Sequence, residues 1–577
     1  MQCQSGGGYV PRGDFGVSND GPSNDGAWNN GSSNGNAFDG SEFDGSELEG
    51  SEYDGPEYDN AVFGQAVFGG DDEPSDVELD AADLGDEVGE NEFPPQLSSG
   101  DNFIAGPPSG DPEQPGEEEE RARQEQGREE LRIVESELNQ RWPETKIEPS
   151  LDRIRALTHM LGEPQDSYQV LHVAGTNGKT STARMVEALL ARMGLRVGRY
   201  TSPHLQLATE RISIDGGPIS PADYVDAYRD VAPFIGMVDQ ATGDSGPAMS
   251  KFEVLTGMAL AAFADAPVEA AVLEVGMGGS WDATNVADAG VAAIGPVSLD
   301  HTAYLGDDLA GIAAEKAGVI KQGAVVLLAE QEPAAETVLL EHAVKMEATV
   351  ARAGSEFAVL RREIGVGGQQ LTLQGLGGVY DEIFLPLHGA HQAANAALAL
   401  ATVEAFFGAG KDRQLVTDAV REAFAEVQAP GRLEPVRGAP TVLLDSAHNP
   451  HGVRALASSI TEEFAFRRLV GVVAVLSDKD VRGILEAVEP VLAEIVVTSN
   501  SSPRAMSPNE LGELAAEFFG AERVTVEPKL DDAVETAVGL AEHTDTPDEP
   551  LSGGGVLVTG SVVTAGDART LFGRDPA

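Results

Sequence analysis

The stretch Leu171-His-Val-Ala-Gly-Thr-Asn-Gly-Lys-Thr-Ser-Thr182 decides the fold class of this chain. A short apolar run, typical of a buried strand, leads into a loop with two glycines and a lysine, and residues 183–193 then have the composition of a helix. The backbone N–H groups of such a turn and of the following helix start form a cradle for phosphate oxygens. Lys179 would reach the terminal phosphates, and the Thr180 hydroxyl would bind Mg²⁺. The stretch therefore predicts a nucleotide-binding loop.

The loop departs from the complete phosphate-loop pattern at one position. Counting back from Gly178, the pattern requires a glycine where this sequence has Val173. The remaining G-x-x-G-K-T could also be a plain turn between a strand and a helix. The apolar run before it and the helical segment after it favour nucleotide binding. The predicted nucleotide contacts in the loop are Thr176, Asn177, Gly178, Lys179, Thr180 and Ser181.

The rest of the chain alternates short strand-like runs with amphipathic helical segments, which predicts parallel sheets covered by helices. A Pro-Gly break at 428–432 separates two such series. We interpret the chain as an α/β protein with a parallel-sheet, phosphate-loop ATPase domain at 126–428 and a smaller, Rossmann-like domain at 429–577. The nucleotide would bind at the seam between them. The strand-like runs are AAVLEVG, VAAIGPVSL, AVVLLA, TVLLDS, LVGVVAVLSD, EIVVTSN, RVTVEP and GVLVTGS.

Residues 1–125 are an acidic, low-complexity tail with near-repeats such as FDGSEFDGSELEGSEYDGPEYDN. Of the formal net charge of −57, residues 1–130 carry −29, from 33 Asp or Glu against 4 Arg and no Lys. Scattered aromatic residues in a glycine-rich background bury too little surface to offset the entropy of ordering, so we predict a disordered tail. It would serve either as a solvating segment or as an arm that binds an unknown protein partner through its Phe and Tyr residues.

Composition excludes several classes of protein. The acidic balance argues against non-specific binding to nucleic acid, which requires basic surface. The single cysteine, Cys3, excludes an internal disulfide framework and a cysteine-based zinc site. No signal-like segment or membrane-length apolar run occurs, which predicts a soluble, cytoplasmic protein with no membrane partner. Folding would begin near Glu117 with a helix. The apolar face of that helix would comprise Leu131, Ile133, Val134 and Leu138.

Taken together, the motifs carry a family resemblance. In order from about residue 137 to the C-terminus they are LDRIRALTHMLG, HVAGTNGKTST, YTSPHLQLATERI, LEVGMGGSWDATN, LDHTAYLG, AAEKAGVIK, HGAHQAANAALAL, PGRLE, LDSAHNPHG, LSDKD and LVTGSVVTAGDAR. This ordered set resembles the ATP-dependent Mur ligase superfamily and, more narrowly, the folylpolyglutamate synthase/dihydrofolate synthase family. The missing glycine is then a trait of the superfamily.

The resemblance implies an ATP-dependent amide ligase of folate biosynthesis. Such an enzyme adds L-glutamate to dihydropteroate, to (tetrahydro)folate polyglutamates, or to both, through an acyl phosphate. The sequence leaves open which of these activities is present, which folate form is preferred and how long the glutamate chain becomes. Relatives of this type are commonly monomers, which is the expectation here.

The resemblance also implies a magnesium site around the phosphate loop, with ligands for two ions. One carboxylate, one imidazole and hydroxyl groups suit Mg²⁺ with water and phosphate completing its shell. Taken singly, the same residues could be a helix-capping Glu, a core His and a turn Ser. In addition, Lys316 matches a lysine that is carbamylated by CO₂ in the family. The alternative is that Lys316 is an ordinary surface lysine. The implied ligands are Thr180, Ser202, Glu274 and His301, and the implied catalytic residues are Lys179, Lys316 and His448.

Further residues are implied to contact substrates. Arg432 and His448 would approach the ATP phosphates, Asp445 would hold the ribose, and Asn395 would lie on the adenine side. The segment around Asn449 could equally be a turn that caps the next helix. Residues matching the pterin-contacting segments are Phe252, Glu253, Trp281, Asp282 and Ala283. The GGSWDATN segment departs from the Arg-Leu pair of many relatives, and its indole offers a stacking surface for a flat heterocycle.

Two alternatives remain open at this point. A Mur-type ligase of peptidoglycan precursors usually carries a folded uridine-nucleotide domain before the phosphate loop, whereas here a short helical segment and the tail precede it. A non-catalytic ATP-binding scaffold would recruit partners through the acidic tail and would tolerate changes at Glu274 and His301. The retained metal set argues against the scaffold.

Overall fold

The computed structural model describes residues 115–142, 149–243, 246–411, 413–543 and 553–577. The predicted tail lies outside the described residues as far as position 114, whereas positions 115–125 belong to the first helix. The helices are α1 (Pro115–Leu138), α2 (Asp152–Met160), α3 (Lys179–Arg192), α4 (Pro221–Thr242), α5 (Lys251–Asp265), α6 (Thr302–Leu305), α7 (Leu309–Ala317), α8 (Pro333–Lys345), α9 (Ala390–Phe406), α10 (Thr417–Glu426), α11 (Pro450–Glu463), α12 (Val481–Val488), α13 (Pro508–Phe519), α14 (Leu530–Glu542) and α15 (Val562–Leu571).

The first helix confirms most of its predicted apolar face. Leu131, Val134 and Leu138 are buried against α4 and its neighbours. Ile133, however, is 55% exposed, so its place on that face was wrong. Positions three, four and seven apart share one side of a helix, whereas a residue two positions from Leu131 points away from it.

The phosphate loop follows the central strand of an eight-stranded sheet. Its strands are β1 (Gln169–Ala174), β2 (Val197–Tyr200), β3 (Ile212–Ile214), β4 (Gly217–Pro218), β5 (Ala270–Glu274), β6 (Val291–Ile294), β7 (Val325–Leu328) and β8 (Thr349–Arg352). Their order is β4-β3-β2-β5-β1-β6-β7-β8, and all neighbouring pairs except β2–β3 and β3–β4 are parallel. The parallel strands are apolar and largely buried because helices cover both faces, which confirms the predicted α/β class.

One predicted strand ending was wrong. The run VAAIGPVSL was expected to continue as a strand to Leu299, but β6 ends at Ile294. Gly295 and Pro296 interrupt the ladder, because proline lacks the N–H that a parallel strand requires. The residues that follow form a loop beside the phosphate loop: the Thr176 N–H donates to the Pro296 carbonyl at 2.9 Å.

A three-stranded antiparallel sheet was not predicted. It comprises β9 (Ala358–Gly365), β10 (Gly368–Gln374) and β11 (Val379–Leu385) in the order β11-β10-β9. Its buried side chains, among them Leu371 and Tyr380, pack in one core with those of α9 and α3. The sheet thereby fixes α9, which lies against the phosphate loop.

A six-stranded sheet occupies the C-terminal end. Its strands are β12 (Glu434–Gly438), β13 (Thr441–Leu444), β14 (Arg468–Val473), β15 (Glu494–Val497), β16 (Val524–Val526) and β17 (Gly554–Thr559). The order is β12-β13-β17-β14-β15-β16, with only β12 antiparallel to its neighbour. Separate apolar cores on its two faces give the doubly wound arrangement that the second series of runs predicts.

We call residues 149–426 the large lobe and residues 431–577 the small lobe. The Pro-Gly break joins them: α10 ends at Glu426 and β12 begins at Glu434. Within the described ranges, no helix combines the length and the apolar composition needed to cross a bilayer.

Candidate functional site

The phosphate loop is a four-residue turn between β1 and α3 whose two glycines are required by its geometry. Gly175 has φ +134° and Gly178 has φ +83°, both in the region that favours glycine. A Cβ on Gly178 would lie 2.6 Å from the Asn395 Oδ1 atom. Val173, in contrast, is a buried strand residue paired with Glu274, so the position needs no glycine. The departure from the complete pattern therefore falls within the strand and leaves the turn intact.

The turn is held from both sides. Thr176 accepts a hydrogen bond from the Ser298 N–H at 3.0 Å, and its hydroxyl lies 3.1 Å from the Ser298 carbonyl oxygen. The Lys179 ammonium donates to the Thr176 carbonyl at 3.1 Å, which places the charge at the mouth of the loop. Ser181 is buried in the first turn of α3. These contacts leave the loop preformed around the predicted phosphate cradle.

Glu274 ends β5, next to β1, and faces the start of α3. The Thr180 hydroxyl donates to the Glu274 Oε1 atom at 3.0 Å, while the Oε2 atom is buried and has no hydrogen-bond partner among the described residues. Burial raises the pKa of the Glu274 carboxyl, and the charge of Lys179 and the Thr180 hydrogen bond oppose that rise. A buried carboxylate oxygen without a partner, beside a hydroxyl group, fits a hard cation such as Mg²⁺.

Asp300 and His301 lie on the other side of the phosphate loop, after β6. His301 immediately precedes α6, with a left-handed φ of 53°, and burial lowers its pKa to about 3, although the Asp300 charge opposes this. The imidazole is therefore neutral, as a metal ligand must be. Burial would raise the pKa of Asp300, but the neighbouring His448 imidazole and the charge of Lys479 hold it well below the usual range.

Ser202 lies in the loop after β2, between Thr201 and Pro203. Those two neighbours and Thr180 line a cavity of about 30 Å³, to which Arg432 also contributes. Ser202 is thus close in sequence to residues that border the Thr180 hydroxyl. Within the described ranges, no group of three or more His, Cys, Asp or Glu side chains could hold a metal. The predicted set contains one carboxylate and one imidazole, so hydroxyl groups would have to complete it.

Lys316 lies on α7, beneath the phosphate loop. Its ammonium is buried and donates to the Gly175 carbonyl at 2.9 Å. Burial and the nearby charge of Lys179 lower its pKa to about 7, while Asp300 and Asp282 oppose the shift. The burial of the side chain excludes the alternative of an ordinary surface lysine, and the lowered pKa makes the neutral amine accessible near pH 7.

The small lobe contributes Arg432 and the segment that follows β13. Asp445 is buried and accepts the N–H groups of Leu433 at 2.9 Å and Ala447 at 2.8 Å, so it holds the segment that carries Arg432. Burial raises the pKa of this carboxyl. The Nδ1 atom of His448 lies 2.9 Å from the Ser446 carbonyl oxygen, which directs its Nε2 atom toward Asp300 at 3.6 Å.

The two lobes meet at the phosphate loop itself. The side-chain amides of Asn177 and Asn449 donate to each other at 3.3 and 3.0 Å, and Asn177 also lies 2.9 Å from His451 Nδ1. Asn449 additionally caps α11, accepting the Gly452 N–H at 2.8 Å, so the cap predicted for this turn is present together with the contact to the loop.

The residues predicted on the pterin side surround the turn after β5. The Phe252 ring packs against Gly276 beside the Asp282 carboxylate, and Trp281 packs on Gly278. Asp282 is buried and accepts the N–H groups of Met277 and Thr284, at 2.9 and 3.0 Å. Ala283 lies in the apolar core.

Glu253 stabilises the start of α5. It forms a capping box with Ser250 at the start of α5 and an ion pair with Arg153 at 3.0 Å, and it is 5% exposed. Phe252 and Trp281, which are partly exposed, are therefore better placed than Glu253 to offer contact surface.

Three polar residues at this junction were not assigned from sequence. Asp300 precedes the predicted ligand His301, Lys479 lies in the quoted LSDKD motif, and Asn449 was interpreted as a cap. Lys479 pairs with Asp300 at 2.7 Å, and Asn449 donates to Asp300 at 2.9 Å. Their positions in the sequence could have identified them, because each follows a strand at the carboxyl edge of its sheet, where α/β proteins bind ligands.

Comparisons with known proteins agree with this arrangement. Residues 431–561 match the family model for the Mur ligase glutamate ligase domain. The chain is 59% identical to the dihydrofolate synthase/folylpolyglutamate synthase of Mycobacterium tuberculosis, over 77% of this chain and 94% of that protein. It is 31% identical to the folylpolyglutamate synthase of Lacticaseibacillus casei, over 73% of this chain and 94% of that protein. The structure of Mycobacterium tuberculosis folylpolyglutamate synthase complexed with ADP and AMPPCP superposes with a TM-score of 0.74, covering 78% of this chain and 100% of that one at 57% identity.

Proposed function

The chain belongs to the dihydrofolate synthase/folylpolyglutamate synthase family, and from this premise we propose that it couples ATP cleavage to amide formation between L-glutamate and a pterin carboxylic acid. The acid is dihydropteroate, a (tetrahydro)folate, or each in turn. The observation that carries the proposal is the junction of the phosphate loop with Glu274 and Thr180 on one side and the small-lobe residues His448 and Asn449 on the other. The relatives are folate enzymes, which disfavours the alternatives of a peptidoglycan ligase and a non-catalytic scaffold.

The reaction begins with activation of the acid. A carboxylate does not react with an amine at neutral pH, because its oxygen is a poor leaving group. A carboxylate oxygen therefore attacks the γ-phosphorus of ATP, the bond to the bridging oxygen breaks, and ADP leaves. This transfer requires positioning and charge neutralisation more than covalent help. The N–H groups at the start of α3 and Lys179 would hold the phosphates, with Arg432 and His448 approaching from the small lobe.

The second step forms the amide. The amine of L-glutamate attacks the carbonyl carbon of the acyl phosphate, and the tetrahedral intermediate loses inorganic phosphate and a proton. Water competes with the amine for the same carbon, so the site must exclude it. The contacts between the lobes at Asn177 and Asn449 support such exclusion.

The buried Glu274 Oε2 atom and the Thr180 hydroxyl fit a magnesium ion, and Ser202 and His301 would complete the ligands of up to two ions. Bound Mg²⁺ would neutralise charge on the phosphates. In this scheme Asn395, which lies against Gly178, contacts the adenine side, and Asp445 contacts the ribose. Phe252, Trp281, Asp282 and Ala283 border the pterin.

The lowered pKa of Lys316 supports the proposal that it is carbamylated. The ammonium would first lose a proton, and the neutral amine would then attack the carbon of CO₂ and lose a second proton, which leaves a carbamate anion in place of the cation. A pKa of about 7 keeps the neutral form accessible. The change of sign would make Lys316 compatible with cations near the loop, whereas its ammonium form would repel them.

The organisation of the chain follows from the same scheme. We assign the ATP-binding domain to residues 126–428 and the glutamate-ligase domain to 429–577, which is supported by the separate sheets and by the family match at 431–561. We expect a monomeric, cytoplasmic enzyme whose partners are its small-molecule substrates and not nucleic acid.

Product analysis tests the proposal. Purified protein is incubated with MgATP, L-glutamate and either dihydropteroate or tetrahydrofolate, and ADP, phosphate and the new amide are quantified. We expect amide product with at least one of the two acids, and one ADP for each amide. Release of ADP that needs neither acid nor glutamate, without any amide, would overturn the proposed function. Uridine-linked muropeptides serve as the control substrate and should give no product.

A further inference from the structure

The LSDKD segment after β14 has no role in the scheme above, yet its lysine makes a buried ion pair between the lobes. The Lys479 ammonium lies 2.7 Å from the Asp300 Oδ1 atom, and the two side chains are 9% and 8% exposed. Asp300 belongs to the large lobe and Lys479 to the small lobe. A buried ion pair of this kind loses the hydration of both charges, so it persists only where the geometry keeps the two groups together.

Asp300 also joins the other contacts at the junction. Its Oδ2 atom accepts the Asn449 side-chain amide at 2.9 Å and lies 3.6 Å from His448 Nε2, while its Oδ1 atom accepts the His301 N–H at 2.8 Å. Asn449 in turn pairs with Asn177 of the phosphate loop. A continuous chain of contacts therefore runs from Lys479 through Asp300 and Asn449 to the loop.

We infer that Lys479 is a positioning residue that fixes Asp300 between the lobes and thereby keeps the small lobe seated on the phosphate loop while the acyl phosphate is present. The inference rests on the proposed function, because it concerns the fate of that intermediate. Loss of Lys479 leaves the Asp300 carboxylate without its nearest cation at a largely buried position. Such a group draws in water or separates from its neighbours, since a buried charge without a partner is costly.

Entry of water has a defined chemical consequence. Water attacks the carbonyl carbon of the acyl phosphate, the bond from that carbon to the phosphate oxygen breaks, and the original carboxylate and inorganic phosphate leave with the released protons. The net reaction is hydrolysis of ATP that depends on the pterin acid but forms no amide. The ratio of phosphate released to amide formed therefore reports on closure, and a general loss of folded enzyme does not change it.

Lys479→Met tests the inference because it keeps the length and apolar stem of the side chain and removes the charge. The matched control is Arg504→Ala, which breaks an exposed ion pair with Asp478 of the same segment, 3.1 Å long and 43% and 46% exposed. Wild type and the control should release one phosphate for each amide. Lys479→Met should release severalfold more phosphate than amide with the pterin acid present. In the absence of nucleotide, its amides at 175–180 should exchange hydrogen faster than those of wild type.

The outcomes separate the inference from the proposed function. If wild type forms no amide, the proposed function fails. The inference is overturned if wild type and Lys479→Met both release one phosphate for each amide and the backbone amides at 175–180 exchange hydrogen at the same rate in both. Should Lys479→Met not fold, Lys479→Gln takes its place, and a ratio of one in that variant also overturns the inference. If Arg504→Ala releases as much excess phosphate per amide as Lys479→Met, any disturbance of this segment causes hydrolysis of the acyl phosphate. That result contradicts a specific role for Lys479.

Discussion

The helix that follows the phosphate loop and the helices of the small lobe begin in different ways. Helix α3 starts at Gly178, which offers no side-chain cap. Four helices of the small lobe start with a side chain that accepts one of their own N–H groups. Those caps are Asn449 for α11, Asp480 for α12, Ser507 for α13 and Ser561 for α15. The first N–H groups of a helix require an acceptor, so the uncapped start of α3 is open to a ligand, whereas these four small-lobe helices satisfy part of that requirement with their own caps.

The difference extends to the carboxylates. Glu274 beside α3 retains a buried oxygen that has no hydrogen-bond partner in the described part of the chain, whereas both oxygens of Asp445 accept backbone N–H groups of the small lobe. The large lobe thus presents groups that a nucleotide and a cation can complete. The small lobe presents side chains that are already fixed, which suits positioning. Five changes test this division, from the largest expected effect to the smallest.

Lys179→Ala removes the charge at the mouth of the loop, and kcat should fall by about 10³-fold because positioned charge contributes most of the catalysis of phosphoryl transfer. Lys345→Ala, at an exposed position near the end of α8, is the matched control and should leave kcat unchanged. Steady-state ADP release measures both. Retention of wild-type turnover in Lys179→Ala would refute the assignment of the loop.

Glu274→Gln should separate activity from stability. The amide keeps an acceptor for Thr180 but binds Mg²⁺ weakly, so kcat at limiting Mg²⁺ should fall about 100-fold. Because burial raises the pKa of Glu274, the charged carboxylate costs free energy in the folded chain at pH 7, and the neutral amide should raise Tm in the absence of metal. Calorimetry with EDTA measures the second effect. A lower Tm together with unchanged kcat would contradict the division between the lobes.

Lys316 should make activation depend on CO₂ and on pH. Below its pKa of about 7 the amine is protonated and does not react, and each further pH unit lowers the neutral fraction about tenfold. Enzyme depleted of CO₂ should therefore regain activity rapidly at pH 8 and slowly at pH 6 when both buffers are equilibrated with the same partial pressure of CO₂. The initial rate of recovery is measured after dilution into one assay buffer. A recovery rate independent of pH would rule out carbamylation at this residue.

Much of the fold could be predicted because buried parallel strands are continuous apolar runs. In this way β1, β5, β6 and β7 and the small-lobe strands β13 to β17 were recognised, whereas the shorter or edge strands β2, β3, β4, β8 and β12 were not. The antiparallel sheet at 358–385 was missed because its strands are partly exposed and lack such runs. The loop, Glu274 and His301 followed from motifs that are local in sequence. The pairs Lys479–Asp300 and Asn449–Asn177 join residues 179 and 272 positions apart, and only the folded chain brings them together.

Gly178→Ala tests the uncapped start of α3. The new Cβ would lie 2.6 Å from Asn395 Oδ1 and would strain a residue with φ +83°. We expect a loss of stability of about 1 kcal/mol from the strain and a rise of about tenfold in KM for ATP from the displaced loop. Gly194→Ala is matched, since Gly194 has φ +92° and no atom of the described residues lies within 4 Å of the new Cβ. Gly194→Ala should lose a similar amount of stability and keep the wild-type KM for ATP. If KM rises equally in both variants, backbone strain alone explains the effect.

Two capping residues of the small lobe give the finest comparison. Asn449→Ala and Ser507→Ala each remove one cap and should each lower the free energy of unfolding by about 1 kcal/mol. Only Asn449 also contacts Asn177 and Asp300, so only its variant should lose about fivefold in kcat/KM for ATP, the equivalent of one hydrogen bond of about 1 kcal/mol. Urea titration and steady-state kinetics measure the two quantities. If both variants lose the same activity, caps alone explain the effect, and the small lobe does not position the phosphate loop through Asn449.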